Sequence, residues 1–218
     1  MLEFLHGRVS ERKLRLFACA CCRRMWHLLI DERSRRAIEN TEQWLDKPVG
    51  LKEENRATKE ASEAVRAVFQ ATKSPARDPG GTTLGAASVV AEMVYEDDLL
   101  DVSWRAADVL AGSGAQSHAD RKSARPEQLA CQTCLLRDIV GNPFRPVLLE
   151  PFWLAWNDDT LRKMAQVIYD DRAFDRLPIL ADALEDAGCD SQDILDHCRS
   201  GGEHVRGCWV ADLLLGKS

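Results

Sequence analysis

Residues 11–29 read ERKLRLFACACCRRMWHLL, and the fold turns on whether this stretch is a helix with one buried side. Taking Arg12 as zero and stepping 100° per residue places Leu14, Phe17, Ala18, Cys21, Met25, Leu28 and Leu29 between about 140° and 260°. Arg12, Arg15 and Arg23 fall within about 60° of zero, on the opposite side. One apolar face against one cationic face is the signature of an amphipathic helix, and Ser10 supplies its N-cap. Cys21 sits in the middle of the apolar face as a small core filler. Cys19 and Cys22 lie on its flank near Arg15 and Trp26. Their i, i+3 spacing leaves three readings open: half-buried thiols beside a cation–π contact, two ligands of a shared metal, or a Cys19 thiol activated by arginines.

Working outward, the same helical period recurs nearly everywhere. Helices are expected over about 32–46, 51–73, 86–111, 126–140, 158–170, 177–187, 191–198 and 207–215. Pro48 and Gly50 separate two of them, and SPARDPGGTTLG (74–85) reads as a loop. No alternating strand and no fixed repeat is present. The expectation is an all-α, irregular bundle of about nine helices with its N- and C-terminal helices packed together. NPFRPVLLEP (142–151) carries three prolines and cannot be helical throughout. It sets the expected organisation: an N-terminal helical part over 1–141, an extended connector over 142–157 anchored by Phe144, and a C-terminal helical part over 158–218, joined in one composite domain.

The chain has 218 residues, of which 45% are hydrophobic and 29% charged, enough to bury a core without staples. It shows no apolar run of about 18 residues and no secretory leader, so a cytoplasmic protein with no membrane partner is expected. The eight cysteines are then expected to be thiols or metal ligands. Net charge is −6 but uneven. Residues 1–36 hold nine Lys/Arg and four acids. A basic end on an acidic body either pairs with the chain's own carboxylates or meets an anionic partner.

The second concentration of chemistry is HCRSGGEHVRGCW (197–209). Cys189 and Cys198 flank a short helix and would stand about 12 Å apart at 1.5 Å per residue, whereas zinc needs its sulfurs within about 4 Å. The metal version that survives uses Cys198, His204 and Cys208, folded together by Gly201-Gly202. Its fourth ligand would be His197, or Cys19 or Cys22 from the first helix. The competing version is a structural loop whose His204 and Arg206 bond backbone carbonyls. In that version Trp209, Val210, Leu213 and Leu214 dock on the Leu14/Phe17/Cys21 face. Cys131-Gln-Thr-Cys134 has metal-like spacing but lies inside an amphipathic helix. The carboxylates Glu92, Glu96, Asp97, Asp98 and Asp101 read as a solvated face. Glu3 and His6 form a single Glu-x-x-His pair, where a di-iron bundle requires two. Phosphate loops, the nucleophile elbow and the zinc-protease helix have no counterpart.

Four blocks, LRLFACACCRRMWHLL (14–29), LLRDIVGNPFRP (135–146), YDDRAFDRLPILADALEDAGC (169–189) and HVRGCWVADLLLGK (204–217), resemble a multi-copy family of planctomycete hypothetical proteins. ADALEDAG (181–188) is more weakly similar to the planctomycete repeat-companion domain. The resemblance implies no activity, cofactor or catalytic residue.

The function expected from the residues is a non-catalytic helical binding or adaptor module with a protein partner and no cofactor, zinc being the one metal the residues would suit. Two alternatives stand beside it. A nucleic-acid-binding accessory protein would use Arg12, Arg15, Arg23, Arg24, Trp26 and Arg206 on phosphates and bases. A thiol-dependent enzyme would use Cys19.

Overall fold

The computed structural model describes residues 7–72, 78, 81–95 and 99–217. Among the described residues there are eleven α-helices and no strand. The chain divides into two compact units, residues 1–133 and 134–218. The division lies inside a helix rather than in the proline-rich segment, which falls wholly within the second unit.

The first unit contains α1 (Glu11–Arg24), α2 (Glu32–Trp44), α3 (Leu51–Ala71), α4 (Thr82–Tyr95) and α5 (Leu99–Gly112). It also contains the start of α6 (His118–Val140). Ser10 caps α1 by accepting from the Lys13 backbone N–H at 3.3 Å, and Asp31 caps α2 through the Arg33 N–H at 2.9 Å. Residues Leu16 to Cys22 of α1 are all buried, which one apolar face cannot achieve. The helix packs against α2, α4 and α5, so its flanks are interior as well. Cys19 and Cys22 are therefore core residues at 0% exposure rather than flank thiols.

Two arginines of α1 are answered from α2 and the turn just after it. Arg23 forks onto Glu42 at 2.7 and 2.8 Å, and Arg12 reaches Asp46 at 2.9 Å. Glu42 is only 3% exposed. Its replacement by alanine should cost about 2–3 kcal/mol, below the range for a fully buried pair because Arg23 retains solvent contact. Urea unfolding of the full chain measures it, and a loss under about 0.5 kcal/mol, the level of an exposed pair, would contradict this role.

Two boundaries differ from expectation. The stretch read as one helix over 86–111 is two, α4 and α5, and the intervening 96–98 lie outside the described residues. Helix α6 starts at His118, earlier than Pro126 suggests, because the Ser117 hydroxyl accepts from the Asp120 N–H at 3.1 Å and opens the helix. Pro126 sits within it.

The second unit holds the end of α6, then α7 (Pro151–Ala155), α8 (Thr160–Asp171), α9 (Leu177–Asp186), α10 (Gln192–Arg199) and α11 (Trp209–Leu215). Leu161, Ala165 and Ile168 of α8 repeat at helical spacing and face Leu177, Leu180 and Leu184 of α9 in one core. Ile194, Leu195 and Cys198 of α10 join them, with Val210, Ala211 and Leu214 of α11. Each terminal helix thus finds its core inside its own unit: α11 packs on α8, and α1 on α2, α4 and α5. The connector expected to be extended over 142–157 is a turn at 143–145, irregular chain over 146–150 and the helix α7 from Pro151, and Phe144, expected to anchor it, is 72% exposed. Val147, Leu149 and the buried Trp153 hold it to the core instead. Among the described residues no helix is long and apolar enough to cross a membrane.

Candidate metal centre

Four side chains of the second unit converge: Asp138, His197, His204 and Cys208, with one ligand atom of each lying within 4.8 Å of all the others. Asp138 stands in the last turn of α6 and His197 in the last turn of α10. His204 lies in the loop after Gly201-Gly202, and Cys208 is the N-cap residue of α11. Gly141 ends α6 just beyond Asp138. Its N–H bonds the Arg137 carbonyl at 2.9 Å with φ at +68°, the left-handed glycine stop of a helix.

The carboxylate is the hub. Asp138 Oδ1 accepts from His204 Nδ1 at 2.6 Å and lies 3.2 Å from His197 Nε2. Its Oδ2 accepts the Val205 N–H at 2.9 Å. Cys208 Sγ lies 3.2 Å from the same His197 Nε2. The two rings meet edge to face, with centroids 4.8 Å apart, and the His197 ring also touches Trp209. On its far side His204 Nε2 faces the Ser200 hydroxyl at 3.3 Å and carbonyl at 3.4 Å.

Little of this reaches solvent. The side chains of Asp138 and His204 are 4% and 7% exposed, and Cys208 is fully buried. Burial disfavours the Asp138 carboxylate, but hydrogen bonds from His197, His204 and the Val205 N–H outweigh it and hold its pKa below the usual value. Burial likewise opposes charge on His204, yet the hydrogen bond to Asp138 and its negative charge raise the pKa. Burial pushes the Cys208 thiol well up.

A raised His204 pKa has a definite sign. The charged ring is favoured in the folded state, so its stabilisation is complete below the ordinary histidine value of about 6.5 and fades as pH rises through the folded value. In chelator-treated protein the His204 ring protons should titrate with a midpoint above 6.5. A midpoint below that value, followed by NMR, would contradict the hydrogen-bonded pair.

The arrangement is not a nucleophilic triad. A relay needs the thiol and the acid on opposite nitrogens of one ring. Here one nitrogen, His197 Nε2, faces both Cys208 and Asp138.

Of the ligands expected from the sequence, His197, His204 and Cys208 come together. Cys198 does not join them. It follows His197 by about 100° around α10, so when the ring faces the centre the thiol faces the core. Cys19 and Cys22 bury in the first unit, Cys19 Sγ lying 3.5 Å from Met93 Sδ. Cys131 is half-buried, Cys134 is exposed, and neither belongs to a metal-like cluster among the described residues. Asp138 is the residue that sequence reasoning missed.

The basic candidates disperse. Arg15 pairs with Glu11 on its own helix, while Arg23 and Arg35 lie over the Trp26 ring. Arg24 is half-buried. Arg206 stacks on Tyr169 at 4.8 Å, and Lys217 takes the same ring at 3.9 Å. Arg23 is answered by Glu42 of α2 and Arg12 by Asp46 just past the end of that helix. Glu92 pairs with Arg105. Glu96, Asp97 and Asp98 lie outside the described residues, as do Glu3 and His6.

Comparison with protein-family models, with curated proteins and with solved structures finds no match.

Proposed function

We propose that this chain is a non-catalytic helical binding module that works through a protein partner. The observation that carries the reading is a run of exposed large apolar side chains on one short segment: Phe144 at 72%, Leu148 at 78% and Phe152 at 58%. Exposed large apolar side chains are what partner surfaces bury. The segment is also preorganised. Asn142 Oδ1 accepts the Phe144 N–H at 3.0 Å, and the Asn142 carbonyl accepts the Arg145 N–H at 3.2 Å. A fixed turn loses less entropy on binding than a free loop.

The enclosure of the Asp138 centre and the full burial of Cys19 support a structural use of these groups over turnover. In this reading any metal at the centre is a structural zinc ion. The pairing of Arg12 and Arg23 with Asp46 and Glu42 supports an internal role for the basic helix over a nucleic-acid role. A cytoplasmic setting and kinship with the planctomycete family belong to the same proposal, and neither brings an activity with it.

The test is affinity capture from the native extract, with and without nuclease, using wild-type protein and the Phe144→Asp/Leu148→Asp double variant. A stoichiometric protein partner that survives nuclease and is lost with the variant, whose circular dichroism and Tm are unchanged, is the expected result. Capture that depends on nucleic acid, weakens steeply with salt and is flattened by Arg12→Ala, Arg15→Ala and Arg23→Ala would replace this reading with the nucleic-acid one.

A further inference from the structure

We propose that Asp138, His197, His204 and Cys208 are the four ligands of one tetrahedral zinc ion, which ties the end of α6 to α10 and to the start of α11. The inference goes beyond the binding-module reading and rests on the second unit alone.

The donor set selects the metal. Two imidazoles, one thiol and one carboxylate make a borderline-soft site that suits zinc and excludes calcium and magnesium, which take oxygen ligands. Bonds of about 2.0–2.3 Å in a tetrahedron place ligand atoms about 3.3–3.8 Å apart. His197 Nε2 is already 3.2 Å from both Asp138 Oδ1 and Cys208 Sγ, and every pair lies within 4.8 Å. The Asp138–His204 contact, at 2.6 Å, is well short of a tetrahedral edge, as expected of two groups sharing a proton. Opening it by about 0.7 Å lets the ion between them.

The surroundings are those of a ligand shell. Asp138 Oδ2 is fixed by the Val205 N–H, leaving Oδ1 for the metal. His204 offers Nδ1 inward while its Nε2–H can donate to Ser200, the outer hydrogen bond that orients metal-bound imidazoles. The backbone N–H groups of Ala211 and Val210, in the first turn of α11, favour the thiolate form of Cys208. Loading is balanced. The thiol proton of Cys208 and the proton that His204 Nδ1 shares with Asp138 both leave to solvent, so both rings coordinate as neutral imidazoles through His197 Nε2 and His204 Nδ1. The ion's two positive charges meet one thiolate and one carboxylate, so the buried centre is neutral. The four ligands come from three helices and a loop, so the ion closes long chain loops, as structural zinc does.

Full-length protein purified without chelator is measured by elemental analysis and then stripped and reloaded with cobalt(II) chloride. One zinc per chain is expected, and cobalt should give a thiolate-to-cobalt charge-transfer band with tetrahedral d–d absorption. Cys208→Ser should remove that band and weaken zinc binding at least about tenfold. Cys198→Ala should leave the spectrum unchanged, which separates the assigned thiol from its neighbour. Folded wild-type protein that holds no zinc as purified and shows no thiolate–cobalt band after loading would overturn the proposal. A band lost in Cys198→Ala and kept in Cys208→Ser would overturn it too. Neither result bears on whether Phe144 and Leu148 meet a partner.

Discussion

Replacing Asp138 with alanine is expected to destabilise the chain by about 3–5 kcal/mol, the cost of removing one member of a buried charged network. Three groups depend on this carboxylate: the two imidazoles through Oδ1 and the Val205 N–H through Oδ2. Truncation leaves all three enclosed without their acceptor, and each buried donor so stranded costs about 1–3 kcal/mol. Asp138→Asn keeps the shape and one acceptor oxygen but loses the charge, so it should fall between alanine and wild type. Chemical denaturation with probes in both halves of the chain reads the effect. A loss below about 1 kcal/mol for the alanine variant would mean the network stabilises nothing beyond an ordinary hydrogen bond.

The second large effect is expected three residues on. Gly141 has φ at +68°, and a Cβ there would stand 3.0 Å from Cγ and 3.1 Å from Cδ2 of Trp209. A branched side chain meets both penalties: about 1–2 kcal/mol for the left-handed backbone and about 1–3 kcal/mol for overpacking. Gly141→Val should therefore cost about 3–4 kcal/mol. Because Trp209 also touches His197, the displaced indole should change the chemical shifts of the His197 ring. Gly141→Ala should cost less but still exceed the roughly 1 kcal/mol of a simple exposed glycine stop. Equal stability of Gly141→Val and wild type would contradict the packing of Trp209 over this turn.

These two residues also mark where the sequence was legible and where it was not. The helix beginning after Ser10 could be read because its cap and its apolar spacing are local signals. That it is buried on nearly every side could not, since this depends on three other helices closing around it. His197, His204 and Cys208 were visible as metal-ligand types close together in the chain. Asp138 was invisible because it lies 66 residues from His204, inside LLRDIV, where a single acid on an amphipathic helix looks like a solvent-facing residue. Cys198 was misplaced for the opposite reason. Adjacent ligands on a helix point about 100° apart, so His197 and Cys198 cannot both serve one centre. Phe144 reads as the anchor of the connector, whereas it sits in a turn and the positions packed on the core are Val147 and Leu149.

The central claim is that one buried carboxylate organises the second unit by binding both histidines. A double-mutant cycle on metal-free protein, combining Asp138→Asn with His204→Gln, measures this most directly. The account predicts a coupling energy of about 1.5–3 kcal/mol, the range of a charge-assisted buried hydrogen bond. Strictly additive losses, with a coupling within about 0.5 kcal/mol of zero, would contradict it.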